Sequence, residues 1–273
     1  MPPSLHSVRF LSALVATGCG GGLPLLHPAQ TLDAGDVRLA TGLSASASVG
    51  ELAQAVRAAS SETQTSSSGS RPAGRDEAYA KGALVEASVA PGLAPFVAAR
   101  VGIGNHIEGG LTYTGRAVRA DVRRSFELSR HWSLSAGAGG AAALGGSQGE
   151  ALPDVALARL HGWGADVPVL VGYASDADLY RVWAGGRAGW EHVDVEEAAS
   201  GSNASAFGTS PVSLSATRLW GGGLVGLAVG FRHVHLAMEI DFSYASITGT
   251  YAGTRAAVAG LTLAPASSVW WVF

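Results

Sequence analysis

Lysine occurs once in 273 residues, at Lys81, and cysteine once, at Cys19. A single cysteine excludes an internal disulfide. Charged residues are 14% of the chain, where ordinary soluble domains carry about a quarter. The formal net charge of −3 leaves no electrostatic footprint for nucleic acid. Beyond the N-terminus no run approaches the ~18 consecutive apolar residues that a membrane-spanning helix needs. The glycine clusters Gly137-Ala138-Gly139-Gly140 and Gly221-Gly222-Gly223 do not complete a G-x-G-x-x-G fingerprint, so no dinucleotide site is indicated. What the chain has instead is glycine, 38 residues of it, and 47% hydrophobic residues. An apolar, glycine-rich, charge-poor chain without a spanning helix is either a well-buried soluble protein or a membrane barrel.

The N-terminus has a secretory layout. A positive charge at Arg9 precedes the apolar run Phe10-Leu11-Ser12-Ala13-Leu14-Val15-Ala16, and Ala16-Thr17-Gly18 leads into Cys19. Small residues directly before a cysteine resemble a bacterial lipobox, in which Cys19 is acylated and becomes the mature N-terminus. Ala16 stands where leucine is commoner. The other reading is an ordinary signal with an incidental cysteine. No good A-x-A cleavage site follows, because Leu25-Leu26-His27-Pro28 intervenes, and this favours lipidation at Cys19. Residues 1–18 are then the signal peptide, and 19–36 a periplasmic linker.

Past that point the chain alternates with a period of two. Strands are expected at 37–46, 95–103, 107–115, 117–128, 132–144, 165–174, 179–193, 214–231, 234–249 and from about 255 to 273. The ninth shows the pattern most plainly: Val234, Leu236, Met238, Ile240 and Phe242 face one way, His235, Glu239, Asp241 and Ser243 the other. Ten is an even number, as bacterial barrels with both chain ends in the periplasm require. Short connections at Gly104-Asn105-His106, Ser129-Arg130-His131, Ser175-Asp176-Ala177 and Arg232-His233, and long ones at 145–163 and 194–213, suit periplasmic turns and extracellular loops respectively.

Residues 48–93 interrupt the alternation. Glu51-Leu52-Ala53-Gln54-Ala55-Val56-Arg57 reads as helix, Ser60 to Arg75 as a flexible Ser/Thr/Gly-rich loop, and Asp76 to Val89 as helix or strand. The segment is expected to be a partly helical first extracellular excursion, folded into or over the barrel mouth.

The chain ends in Ser267-Ser268-Val269-Trp270-Trp271-Val272-Phe273. A terminal phenylalanine with Val269 and Trp271 at alternate positions before it resembles the C-terminal signature of bacterial outer-membrane β-barrel proteins. That resemblance implies recognition by the barrel-assembly machinery through Val269, Trp271 and Phe273. Aromatic rings suit a lipid–water rim, and Trp132, Tyr173, Tyr180 and Phe231 are candidates for the same girdle. A soluble sandwich or a soluble barrel with an apolar core would also alternate; in a soluble barrel the packed interior would be the apolar side, whereas an apolar face across ten strands opposite arginines and acids suits a lipid-facing exterior around a polar lumen.

Polar residues converge only on the inward face. Arg38, Arg100, Arg119, Arg123, Arg181, Arg187 and Arg218 oppose Glu108, Asp121, Glu127, Asp166, Glu191, Glu239 and Asp241. This set is either the lining of a pore or an ion-pair network that fills a small lumen and pins register. Balanced charge argues against strong ion selectivity. His233 and His235 form a pair two ligands short of a closed zinc site, so neither a metal nor a cofactor is expected. Ser243, His235 and Glu239 could be drawn as a catalytic trio.

The expectation is therefore an all-β, antiparallel transmembrane β-barrel of about ten strands (8–12) over 37–273, with the insert at 48–93. It is expected in the bacterial outer membrane with both termini periplasmic, as a small pore or structural envelope protein with a polar, charge-balanced lumen. The alternatives are a lipid-modifying barrel enzyme, or an adhesin or ligand-binding barrel acting through its long loops. Its partners would be outer-membrane lipid, the assembly machinery and a small solute, with no nucleic acid.

Overall fold

The structure, a computed structural model, describes residues 24–65, 77–145, 160–176, 178–196 and 213–273. The signal, Cys19, residues 66–76, and the middles of the connections at 145–163 and 194–213 lie outside the described residues.

Among the described residues ten strands close into one antiparallel barrel. They are β1 Val37–Val49, β2 Gly92–Gly104, β3 Ile107–Tyr113, β4 Ala117–Glu127, β5 Trp132–Ala143, β6 Leu160–Ala174, β7 Tyr180–Glu196, β8 Ser213–Phe231, β9 Val234–Tyr251 and β10 Thr254–Val272. Each pairs with its sequence neighbour, and β1 closes on β10 in the register Leu39 with Trp271 and Leu43 with Ser267. Closure leaves no unpaired edge, which a backbone in hydrocarbon cannot tolerate. The tight turns carry left-handed residues where the twist of a two-residue hairpin demands them, Asn105 and His106 at one rim and Ala252 and Gly253 at the other. We call the rim holding Val37 and Phe273 the terminal rim and the opposite one the far rim.

The outer wall is apolar. Leu39, Val97, Leu111, Val122, Val169, Val225, Leu236, Ile240, Phe242 and Leu263 all project outward and are exposed. In water so continuous an apolar surface would be far outside the range of monomeric proteins; against lipid it is the required solvent match. Aromatic rings mark both margins. At the terminal rim Trp132 meets Tyr173 at 5.5 Å, Tyr173 stacks on Tyr180 at 5.9 Å, and Trp271 on Phe273 at 6.0 Å. Toward the far rim Trp163 and Trp190 pack edge to face at 4.4 Å. Val269, Trp271 and Phe273 share this outward face. Arginine in place of Ile240, midway along β9, is expected to cost about 2–4 kcal/mol, the range for a guanidinium facing mid-bilayer. Urea titration of the refolded protein in lipid vesicles measures it, and a cost near zero would mean that this face sees water.

The interior differs from expectation in three ways. Residues 24–36 are not a linker outside the barrel: they enter the lumen from the terminal rim, and Leu25, Leu26, His27, Ala29 and Leu32 are buried there. Ser60 to Thr65 is not loop but the end of helix α1, Glu51–Thr65. Glu77–Val89 is helix, α2, and not strand. The two helices fill the far half of the lumen. Their apolar side chains, Leu52, Ala59, Leu84 and Val85, pack against inward residues Leu160, Val193, Leu214, Ile247 and Tyr251. The lumen is consequently apolar at the far end, with its polar side chains in the middle and toward the terminal rim. Gly82 lets the helices touch: a β-carbon there would lie 2.4 Å from the Ala59 methyl and 2.7 Å from the Ala55 carbonyl.

Candidate functional site

The middle of the barrel holds a linked layer of arginines and carboxylates on β2, β3, β4, β6 and β7. Strand register places Glu108 opposite Arg123, and Gly110 between Arg100 and Asp121. Glu108 accepts from Arg100 and Arg123, the latter at 3.0 Å. Asp121 bridges Arg100 and Arg119. Asp166 accepts two bonds from Arg119, at 2.8 and 2.9 Å, and one from Arg187 at 2.9 Å. Each carboxylate thus meets guanidinium groups in charge-assisted geometry, the condition under which buried charge is tolerated.

The remaining inward charges behave differently. Arg218 pairs with Glu191 at 3.1 Å, closer to the far rim, and donates to the Ser88 carbonyl. Arg181 pairs with Asp178 in the terminal-rim turn. Glu127 lines an open polar vestibule of about 650 Å³ at that rim. Arg38 makes no ion pair among the described residues: its guanidinium lies over the Trp270 ring, 4.8 Å from the centroid. Asp241 makes no ion pair among the described residues and lines a cavity of about 70 Å³ between Pro24 and Val89. That volume is room for a few waters. Ser44, Ser46, Ser243 and Thr262 line the same cavity.

Glu239 holds the chain's own N-terminal strap. Its carboxylate accepts from the backbone N–H groups of Leu25 and Leu26 at 2.9 and 3.0 Å and from the Trp183 indole at 2.9 Å. Leu26 has φ +43°. A left-handed residue there lets successive N–H groups converge on one carboxylate, the geometry of an anion nest. Further along, Arg123 donates to the carbonyls of Pro28 and Gln30. Leu32 N–H reaches Glu108 at 2.8 Å, and the Thr31 and Ser125 hydroxyls meet at 2.7 Å. Near the terminal rim the strap pairs with β2 through Gly35 N–H to Gly102 O at 2.9 Å and Gly102 N–H to Asp36 O at 3.0 Å. Leu25, Leu26 and Ala29 pack among Phe96, Leu170, Trp183, Ala237 and Trp270.

His27, buried among the arginines, is held neutral. Burial first, then the charges of Arg123, Arg100, Arg119 and Arg38, push its pKa well below the ordinary 6.5. A base whose folded pKa is depressed contributes fully above the unfolded value and loses that contribution as pH falls below it. Acidification from about pH 7.5 to about pH 5.5 is therefore expected to loosen the strap. Protection factors across 24–36, corrected for the intrinsic pH dependence of amide exchange, should fall, and His27→Leu should flatten the response. Equal protection factors at both pH values would refute this.

The possible catalytic trio does not assemble. Ser243 Oγ bonds Thr262 Oγ1 at 2.7 Å, His235 Nε2 lies 3.2 Å from the Asp178 carbonyl, and Glu239 serves the strap. His233 sits in the β8–β9 turn against the Val272 carbonyl at 2.9 Å. Among the described residues no three metal-ligating side chains converge. The residues that sequence reasoning missed are the strap and the inward tryptophans Trp183 and Trp270. The one available signal was Leu25-Leu26 beside Pro24 and Pro28, apolar residues without a strand pattern.

No protein-family model matches the chain, and no curated protein matches it. Among solved structures it is similar to Neisserial surface protein A, at 10% identity and a TM-score of 0.27, covering 86% of this chain and 95% of that one. It is similar also to the CymD monoaromatic hydrocarbon channel, at 10% identity and a TM-score of 0.27, covering 96% of each. Likenesses this distant assign no activity. The closed antiparallel wall, apolar without and charged within, is by itself the build of a bacterial outer-membrane β-barrel.

Proposed function

We propose that the protein is a small outer-membrane pore held shut by two parts of its own chain, the strap at 24–36 and the α1–α2 hairpin. In this reading both termini are periplasmic, the short turns of the terminal rim face the periplasm, and the helical insert enters from outside. Lipid covers the apolar belt, Cys19 carries a lipid anchor, and the assembly machinery reads Val269, Trp271 and Phe273. The observation that carries the proposal is how the lumen is filled. A barrel that is only structural can close its interior with wall side chains. Here the filling is two segments laid against the wall, with a charged, hydroxyl-lined cavity left between them. A permeating solute would be small and polar.

Planar-bilayer recording of the purified full chain tests this. The wild type should be closed for most of the record. A double variant that loosens both segments, Gly82→Leu in the hairpin and Gly102→Val beside the strap, should show frequent steps. If the double variant keeps heat-modifiable gel migration yet stays silent, the barrel is a structural envelope component and the pore reading fails.

A further inference from the structure

The wall holds the strap by its main chain. Three side chains, Glu239, Arg123 and Glu108, make their bonds to the N–H groups of Leu25, Leu26 and Leu32 and to the carbonyls of Pro28 and Gln30. One side-chain pair, Thr31 with Ser125, adds to them. Main-chain bonds give affinity without reading sequence, and apolar pockets at fixed positions supply selectivity. The pocket here, between Phe96, Leu170, Trp183 and Trp270, takes Leu25 and Leu26. Glu239 has no cationic partner among the described residues. Its charge is met by the two strap N–H groups and the Trp183 indole. A carboxylate so placed is matched to a peptide nest and not to an arginine.

From this we propose that the inner wall carries a peptide-binding site, whose ligand is a peptide with two adjacent aliphatic residues after its first position and a left-handed turn at the second of them, and that the strap is its tethered occupant. The proposal rests on the strap being able to leave, as the pore reading requires. Its readout is binding, so it stands or falls apart from conductance. Tethering supplies an effective concentration in the millimolar range, so a free peptide competes in the wild type only at millimolar concentration and not at the micromolar concentration of an anisotropy titration.

The probe is a fluorescent nonapeptide of the sequence Pro24 to Leu32, followed by anisotropy against the full chain in detergent. Leu25→Asp with Leu26→Asp unseats the strap by setting two new carboxylates against Glu239, and leaves the wall untouched. The unseated barrel should bind the peptide saturably, and the wild type should not. Methylating the peptide nitrogens that correspond to Leu25 and Leu26, or adding Glu239→Gln or Arg123→Ala to the barrel, should weaken binding by about tenfold or more, as loss of charge-assisted bonds implies. Replacing the Gln and Thr of the peptide with alanine should change affinity by less than about threefold, because the wall reads few side chains. A folded, unseated barrel that binds no peptide, or one that binds the methylated peptide equally well, overturns the proposal. If the doubly substituted chain does not fold, the wild type is challenged with millimolar peptide and amide exchange of the strap is followed. Acceleration supports the site, and unchanged exchange overturns it.

Discussion

Glu108→Ala is expected to destabilise the barrel by about 3–5 kcal/mol, the cost of breaking a buried ion pair from one side. Glu108 is 0% exposed. It takes hydrogen bonds from Arg100, from Arg123 at 3.0 Å and from the Leu32 N–H at 2.8 Å. Alanine leaves two buried guanidinium groups with one fewer countercharge and orphans a strap N–H. Asp121 still holds Arg100, so the loss falls mainly on Arg123 and, through its bonds to Pro28 and Gln30, on the strap. The rim pair Arg130–Asp176, at 3.0 Å and largely exposed, sets the scale for comparison. Removing it should cost under about 1 kcal/mol, since solvent already screens those charges. Heat or urea unfolding, scored by the gel shift between folded and unfolded barrel, separates the two. A loss for Glu108→Ala no larger than that for Arg130→Ala would mean that the central layer is wet and not a dry network.

Gly102→Val should expel the strap while leaving the wall folded. A β-carbon at Gly102 would fall 1.9 Å from the Asp33 carbonyl oxygen and 2.8 Å from that of Leu32. Both are backbone atoms of the strap, so no side-chain rotation relieves the clash. Position 102 also lies where the strap pairs with β2, which makes the clash act at the root of the segment. The barrel side of the substitution is mild, because valine is a good strand former. Amides of residues 24–36 should lose their protection by an order of magnitude or more, and a protease that cuts after leucine should cleave at Leu25 or Leu26. Melting of the barrel should fall much less than for Glu108→Ala. A protected strap in a folded Gly102→Val barrel would show that the wall yields more easily than the strap.

Strand positions were legible in the chain itself. The expectation for β9 was 234–249 and the strand is Val234–Tyr251; for β8 it was 214–231 and the strand is Ser213–Phe231. Alternation is a local consequence of the pleat: successive side chains point to opposite faces, and each face meets one solvent throughout. For the same reason the inward face of the charged residues from Arg38 to Asp241 could be read without any knowledge of pairing. The outward set Val269, Trp271 and Phe273 followed the same rule.

Which charges meet was not legible, because it depends on register between strands and on what else enters the lumen. Glu239 and Asp241 stand two residues apart on one face, yet the first holds backbone N–H groups of the strap and the second faces a cavity. Arg38, counted among the paired charges by pattern, rests on Trp270 instead. The strap's contacts with Glu239 span more than two hundred residues of sequence, and nothing local in Pro24-Leu25-Leu26-His27-Pro28 announces a partner. Likewise the inward residues Leu214, Ile247 and Tyr251 break the polar pattern only because the helices cover them. The sequence by itself determined the barrel, its approximate size and which face meets lipid, since these follow from a period of two and a change of solvent. Only the tertiary structure decided which segments enter the lumen and where they pack, since burial against a distant wall leaves no period in the segment that is buried.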